Sequence, residues 1–196
     1  MTDEASCRHA IGEAAEKLGG IDGLVYSTGT IHFASLVETD AAMWARLFAT
    51  NVTGAALVTS AALPHLERSR GTAVYLSSVS ASLTPPWPMI GGYVTSKAAL
   101  DKLVEAWRAE CPAVGFTRLS VGDCAGGEGH SATEFANGAD PEIFGAAVRD
   151  WMQKGYMSGQ LIDVEDLVST VDAILGCGAS AVLPMVTIAP RGKSSS

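Results

Sequence analysis

Apolar residues recur along the chain in two rhythms. Where they return every three or four positions, a helix packed by one face is predicted; where they run together for a few residues between turn signals, a buried strand is predicted. Asp3 opens the first helix, which carries Ile11, Ala14, Ala15 and Leu18 on one face before Gly19 and Gly20 stop it. Residues 21–27 read as a short apolar strand. Asp40 opens a second helical stretch bearing Trp44, Leu47, Phe48, Val52, Ala55 and Leu63, expected to end where Pro64 intervenes. Residues 72–76 form the next strand, closed by Ser77 and Ser78, and a proline-rich loop follows at 84–88. A third helix runs from Gly92 to near Glu110. After it come a strand at 114–121, a glycine-rich loop at 122–138 and a helix at 141–154. A last helix is started by Asp163, with Asp166 three residues on, and a final strand lies at 181–188.

Helix and strand alternate throughout, and the strands are apolar at every position rather than at every second one. That order implies an α/β fold: a parallel sheet covered by helices on both faces, in one unit spanning residues 1–196. In such sheets ligands collect at the carboxyl ends of the strands. Residues 27–29, 77–82 and 122–129 are therefore where chemistry is sought.

Composition narrows the function classes. The chain has 196 residues, of which 47% are hydrophobic and 17% charged, enough apolar material for one core. A formal net charge of −8 disfavours nucleic acid and anionic membranes as partners. No uninterrupted apolar run is expected to cross a bilayer, and the first residues lack the pattern of a signal peptide. Cys7, Cys111, Cys124 and Cys177 are far apart and form no CxxC pair, so reduced thiols and a cytoplasmic location are expected. His9, His32, His65 and His130 show no metal-ligand spacing, and no metal is expected.

The candidate chemistry begins with Tyr93 and Lys97, four residues apart at the start of a helix and so on one face. A phenol is a poor base at neutral pH, but a nearby ammonium favours the phenolate. The pair can then pass a proton to or from a substrate oxygen. A serine hydroxyl at the preceding strand end can hold the same oxygen. Asn51 lies inside a helix, where asparagine is unfavourable without a partner; it reads either as a functional amide or as a buried structural one at a kink.

Four segments together carry a resemblance: Gly23-Leu24-Val25-Tyr26-Ser27-Thr28-Gly29, Asn51-Val52-Thr53-Gly54, Leu76-Ser77-Ser78 and Tyr93-Val94-Thr95-Ser96-Lys97-Ala98-Ala99-Leu100. Their content and order resemble those of short-chain dehydrogenases/reductases, closely to about Gly122 and loosely beyond. The resemblance implies a Rossmann-like doubly wound parallel sheet and hydride transfer between a nicotinamide cofactor, NAD or NADP, and a small alcohol or carbonyl substrate. Carried over by position, Tyr93 would be the general acid/base. Lys97 would lower the tyrosine pKa and bind the nicotinamide ribose. Ser78 would polarise the carbonyl, with Ser80 as second choice, and Asn51 would hold a relay water. Ser27, Thr28, Gly29, Gly122 and Cys124, with Tyr93 and Lys97, would line the cofactor. The family also implies a homo-oligomer, often paired through the helices at 40–63 and 92–110.

The sequence departs from the family in several places. The glycine-rich turn that would receive the pyrophosphate is not found before Asp3, so the sheet is expected to be truncated at its amino terminus, with the missing unit encoded upstream or cofactor binding impaired. The strand at 21–27 would then be an apolar edge, prone to pairing with another chain. Tyr26-Ser27-Thr28-Gly29 stands where two asparagines, an alanine and a glycine are usual, and a buried Tyr26 needs a hydrogen-bond partner. Residues 123–160 are expected to form a substrate lid, with His130, Phe135, Phe144, Trp151, Met152 and Tyr156 either facing an apolar substrate or packing the lid. Two rivals remain. One is a non-catalytic Rossmann-like remnant acting as a binding or partner subunit; the other is an epimerase or dehydratase using the same Tyr–Lys pair.

Overall fold

A computed structural model describes residues 2–125 and 139–192. Helix α1 (Glu4–Leu18) starts where the Asp3 carboxylate accepts from the Ser6 N–H and ends at Gly19, at φ 76°. Strand β1 (Gly23–Tyr26) follows. Helix α2 (Ala41–Phe48), capped by Asp40, runs into a π-helical turn (Ala49–Thr53) and on into α3 (Gly54–Ser69). Strand β2 (Thr72–Ser78) leads into a single turn, α4 (Val79–Ser82), in which the Ser78 hydroxyl accepts from the Ser80 N–H. Helix α5 (Gly91–Glu110), β3 (Gly115–Val121), α6 (Pro141–Gln153), α7 (Val164–Leu175) and β4 (Met185–Ile188) complete the order.

The four strands lie in the order β1-β2-β3-β4, all parallel. On one face, Tyr26, Ala73, Tyr75 and Phe116 pack under α1, α3 and α5, against Cys7, Val58, Leu66, Leu100 and Val104. On the other face, Val74 and Leu119 pack with Ile174 and its neighbours on α7. The predicted doubly wound α/β sheet is therefore the observed one, and β1 is an edge strand whose Val25 stays 40% exposed.

Several boundaries move. Helix α3 does not stop at Pro64 but passes through it to Ser69. Pro64 and Ser60, whose carbonyl loses its donor, both sit on the exposed side of the helix, where water can replace the missing bond. Strands β1 and β4 are shorter than their apolar runs, because only residues 23–26 and 185–188 find ladder partners. The continuous helical span Ala41–Ser69 is, by length and composition alone, long and apolar enough to cross a bilayer, which corrects the expectation from the sequence. It packs as a core helix here: Leu47, Asn51, Ala55, Val58, Ala62 and Leu66 are all buried.

Gly71 joins α3 to β2 at a point of close approach: a Cβ there would lie 2.2 Å from the Asp22 carbonyl oxygen. Backbone would have to move, unlike at a site lined by flexible side chains. Gly71→Ala is expected to destabilise the fold by about 2 kcal/mol or more in urea unfolding; an unchanged midpoint would show that the α3–β2 junction yields easily.

Candidate functional site

The carboxyl end of β2 and the loop after β1 meet the amino-terminal third of α5. Tyr93 and Lys97 both lie on the buried face of α5, at 7% and 5% exposure. Lys97 Nζ donates to the Leu76 carbonyl of β2 at 2.7 Å and sits 5.8 Å from the centre of the Tyr93 ring. The Ser78 hydroxyl lies close enough to the Tyr93 phenol to favour its ionised form. Ser80 is turned inward, 3% exposed, and its hydroxyl bonds that of Ser78 at 2.8 Å. Of the candidate serines, Ser78 is thus the neighbour of the Tyr93 phenol, and Ser80 braces Ser78.

Asn51 sits in the π-turn with no exposure. Its amide nitrogen donates to the Thr30 carbonyl at 2.9 Å and to Ser96 Oγ at 2.8 Å, while its oxygen accepts from the Thr30 N–H at 2.8 Å. Ser96 Oγ in turn donates to the Tyr93 carbonyl at 2.7 Å. Asn51 thus clamps the loop after β1 to the turn of α5 that bears Tyr93. Both of its N–H donors are spent, so a relay water would have to bond an oxygen. The π-turn is itself held from β1: the Tyr26 phenol donates to the Thr50 carbonyl at 2.6 Å, which is the partner a buried tyrosine requires.

The clamp brings Gly29 against the site. A Cβ on Gly29 would stand 3.5 Å from Lys97 Nζ and 3.6 Å from Asn51 Oδ1, so the glycine leaves room beside the ammonium. Gly122 follows Val121, the register partner of Ser78, and so lies at the same end of the sheet. Its missing side chain, however, faces Pro190 at 2.9 Å; the glycine serves the packing of β3 on the segment after β4. Cys124 bridges to Ile162, and its thiol donates to the Ala125 carbonyl. Among the described residues, Gly122 and Cys124 share this end of the sheet without a bond to Tyr93 or Lys97.

The electrostatics differ from the simple expectation that the ammonium lowers the phenol pKa. Burial dominates and raises the Tyr93 pKa, the nearby Ser78 hydroxyl offsets part of this, and the Asp101 charge adds to the rise. Burial also lowers Lys97 to about 8, against the opposing pull of Asp101. Asp101, one turn further along α5, is 4% exposed and ion-paired to Arg118 Nη1 of β3 at 3.1 Å. Sequence reading missed this pair; a carboxylate four residues after the lysine on an otherwise apolar helix face was the available signal. It also missed Ser96 and Thr30, and Asp123, whose carboxyl is pushed up to about 6 by burial.

On the substrate side, Phe33, Trp87, Ile90, Tyr93, Val94, Ala147 and Trp151 form one cluster. Trp87 and Trp151 lie 5.1 Å apart, Trp151 Nε1 donates to the Pro88 carbonyl at 2.9 Å, and Phe144 meets Phe33 edge-on at 5.2 Å. Helix α6 is thereby seated over Tyr93 by aromatic packing, the duller of the two readings for these residues. His130 and Phe135 lie outside the described residues.

Comparison with known proteins places the chain in a family and matches its fold. The profile of the short chain dehydrogenase family matches residues 1–126. A curated relative, 2-(S)-hydroxypropyl-CoM dehydrogenase 3 of Xanthobacter autotrophicus, is 30% identical over 187 residues, covering 93% of this chain and 69% of its own length. A second from the same organism, named as inactive 2-(S)-hydroxypropyl-CoM dehydrogenase 2, is 36% identical over 122 residues, covering 62% of this chain and 52% of its own length. The chain thus spans from about half to about two thirds of these relatives. A short chain dehydrogenase from Mycobacterium paratuberculosis bound to NAD superposes with a TM-score of 0.78 at 18% identity, over 95% of this chain and 69% of that one.

Asp123 gives a prediction for stability. Its folded pKa lies above the unfolded value near 3.9, so the ionised group opposes folding. That cost is fully present above about pH 6 and vanishes below about pH 4. Asp123→Asn is expected to stabilise the protein by about 1–2 kcal/mol at pH 7.5 and by nothing at pH 4, read from urea midpoints. Equal gains at both pH values would contradict the assignment.

Proposed function

The chain belongs to the short-chain dehydrogenase family, and on that premise we propose that it is an oxidoreductase site for hydride exchange between a nicotinamide dinucleotide and a small alcohol or carbonyl. The observation that carries this reading is the neighbourhood of the Ser78 hydroxyl and the Tyr93 phenol beside a buried Lys97 whose ammonium, among the described residues, uses one of its three donors. Two donors remain for the hydroxyls of a ribose, and the space over Gly29 lies next to them. Ser27, Thr28, Gly29, Tyr93 and Lys97 would hold the nicotinamide end of the cofactor. When bound, the nicotinamide supplies or accepts the hydride.

The chain's own residues handle the proton. Burial keeps Tyr93 protonated at neutral pH, so it can donate to a carbonyl oxygen during reduction. Ser78 bonds the same oxygen and fixes its place against the phenol. The Lys97 ammonium stabilises the phenolate left behind, and the clamp of Asn51 on Thr30 and Ser96 fixes the turn that carries both. The aromatic cluster of Trp87 and Trp151 with Phe33 and Phe144 excludes water and favours an apolar substituent on the substrate. NAD and NADP remain equivalent in this reading. Cytoplasmic location and pairing of copies through α2–α3 and α5 belong to the same proposal. The assembled tetrad of Asn51, Ser78, Tyr93 and Lys97 supports a catalytic role over that of a non-catalytic partner subunit.

Turnover of secondary alcohols and ketones, followed by nicotinamide absorbance, tests it. Tyr93→Phe is expected to lower kcat by about 10²–10⁴-fold, and Ser78→Ala by about 10²-fold or more. Ser80→Ala should cost much less, since its hydroxyl reaches the site only through Ser78. Reduction should fall as pH rises through about 8, where Lys97 loses its proton. Variants that leave kcat unchanged would refute these roles.

A further inference from the structure

Asp101 is a charged group that the proposed chemistry does not touch, yet three other elements converge on it. Its Oδ2 accepts from Arg118 Nη1 of β3 at 3.1 Å and from Ser82 Oγ of α4 at 3.3 Å. The hydroxyl of Ser77 on β2 is close enough to favour the carboxylate, although neither Ser77 Oγ nor Asp101 Oδ1 makes a hydrogen bond of good geometry. The residue before Ser77 is Leu76, whose carbonyl holds Lys97 Nζ. Lys97 and Asp101 lie one helical turn apart on the same buried face of α5, beyond ion-pair contact.

A buried ion pair is a poor way to stabilise a core, because apolar residues of similar size commonly do as well or better. This pair sits beside the one buried ammonium among the described residues. Among the described residues, the charged and titratable groups that face Lys97 are Tyr93 and Asp101 of α5, with Arg118 of β3 behind Asp101. The π-turn presents uncharged Asn51, the β1 loop Gly29, and β2 uncharged Ser77 and Ser78. Asp101 is thus the negative charge that faces Lys97. Its own burial pushes its pKa up, and Ser77, Arg118 and Ser82 oppose that rise by favouring the carboxylate.

We propose that Asp101, anchored by Arg118, is a positioning residue that holds Lys97 in its ammonium form beside Tyr93. The proposal rests on the dehydrogenase reading for its purpose, but its physical content is the charge state of Lys97. Removing the carboxylate leaves burial unopposed, so the Lys97 pKa falls further below its usual range. A larger share of Lys97 is then neutral at pH 7–8, and the field that stabilises a phenolate on Tyr93 is lost.

The test is the titration of Lys97 Nζ by ¹⁵N NMR on lysine-labelled protein, with its resonance assigned by its absence in Lys97→Met. In Asp101→Asn the midpoint is expected to fall by about one pH unit from that of the unaltered protein. Asp101→Asn leaves Arg118 buried without its partner and can fail to fold. Asp101→Asn/Arg118→Met removes both charges, is expected to fold, and should still lower the midpoint. Midpoints unchanged within about 0.2 unit in the double variant overturn the proposal. Because the readout needs neither cofactor nor substrate, an inactive protein that shows the shift would defeat the dehydrogenase reading and leave this one standing.

Discussion

Burying the Lys97 ammonium is the constraint around which the carboxyl end of the sheet is arranged. At 5% exposure it has lost nearly all its water. The fall of its pKa to about 8 corresponds to roughly 3 kcal/mol against the charged form. No single contact offsets that. The Leu76 carbonyl supplies one hydrogen bond, Asp101 a charge at a distance, and the open space over Gly29 a place for further acceptors. Tyr93 stands in the same dry pocket, which explains why its phenol keeps its proton despite a cation nearby. Low dielectric strengthens the pull of the ammonium but penalises the phenolate more.

A second set of contacts fixes the geometry and carries no charge. Tyr26 holds the Thr50 carbonyl, which stabilises a π-turn in the middle of the long helix. The turn presents Asn51 to the loop after β1 and to Ser96 on α5. One carboxamide therefore links three elements that are distant in sequence. An insertion of this kind in a helix costs local hydrogen-bond geometry and commonly marks a functional place. Here its gain is a fully satisfied buried amide.

The sheet, its parallel sense and the order of helices were legible because apolar runs and caps are local signals. Asp3, Asp40 and Asp163 each cap the helix they were expected to open. The spacing of Tyr93 and Lys97 beside a serine-bearing strand end was legible as well, since a helix face and a strand end determine it, but the choice between Ser78 and Ser80 was not. The π-turn was not, because it depends on the tertiary bonds of Tyr26 and Asn51 rather than on helix propensity. Passage of α3 through Pro64 was missed because it depends on that residue facing solvent. The Asp101–Arg118 pair depends on the register that sets Tyr75 opposite Arg118, which no local pattern reveals. Gly122 reads as a cofactor glycine by position, but its contact with Pro190 gives it a packing role that only the fold shows.

Under the proposed function, Lys97 anchors the nicotinamide ribose. The most direct test of that role is a fluorescence titration of NADH and NADPH into the protein and into Lys97→Ala, with thermal melts to show that both are folded. Saturable enhancement of nicotinamide fluorescence with at least one of the two, weakened about tenfold or more in Lys97→Ala, is the predicted result, since a charged hydrogen bond is worth about 1.5–3 kcal/mol. No saturable signal with either dinucleotide at millimolar concentration, or equal affinity with and without the ammonium, would contradict it.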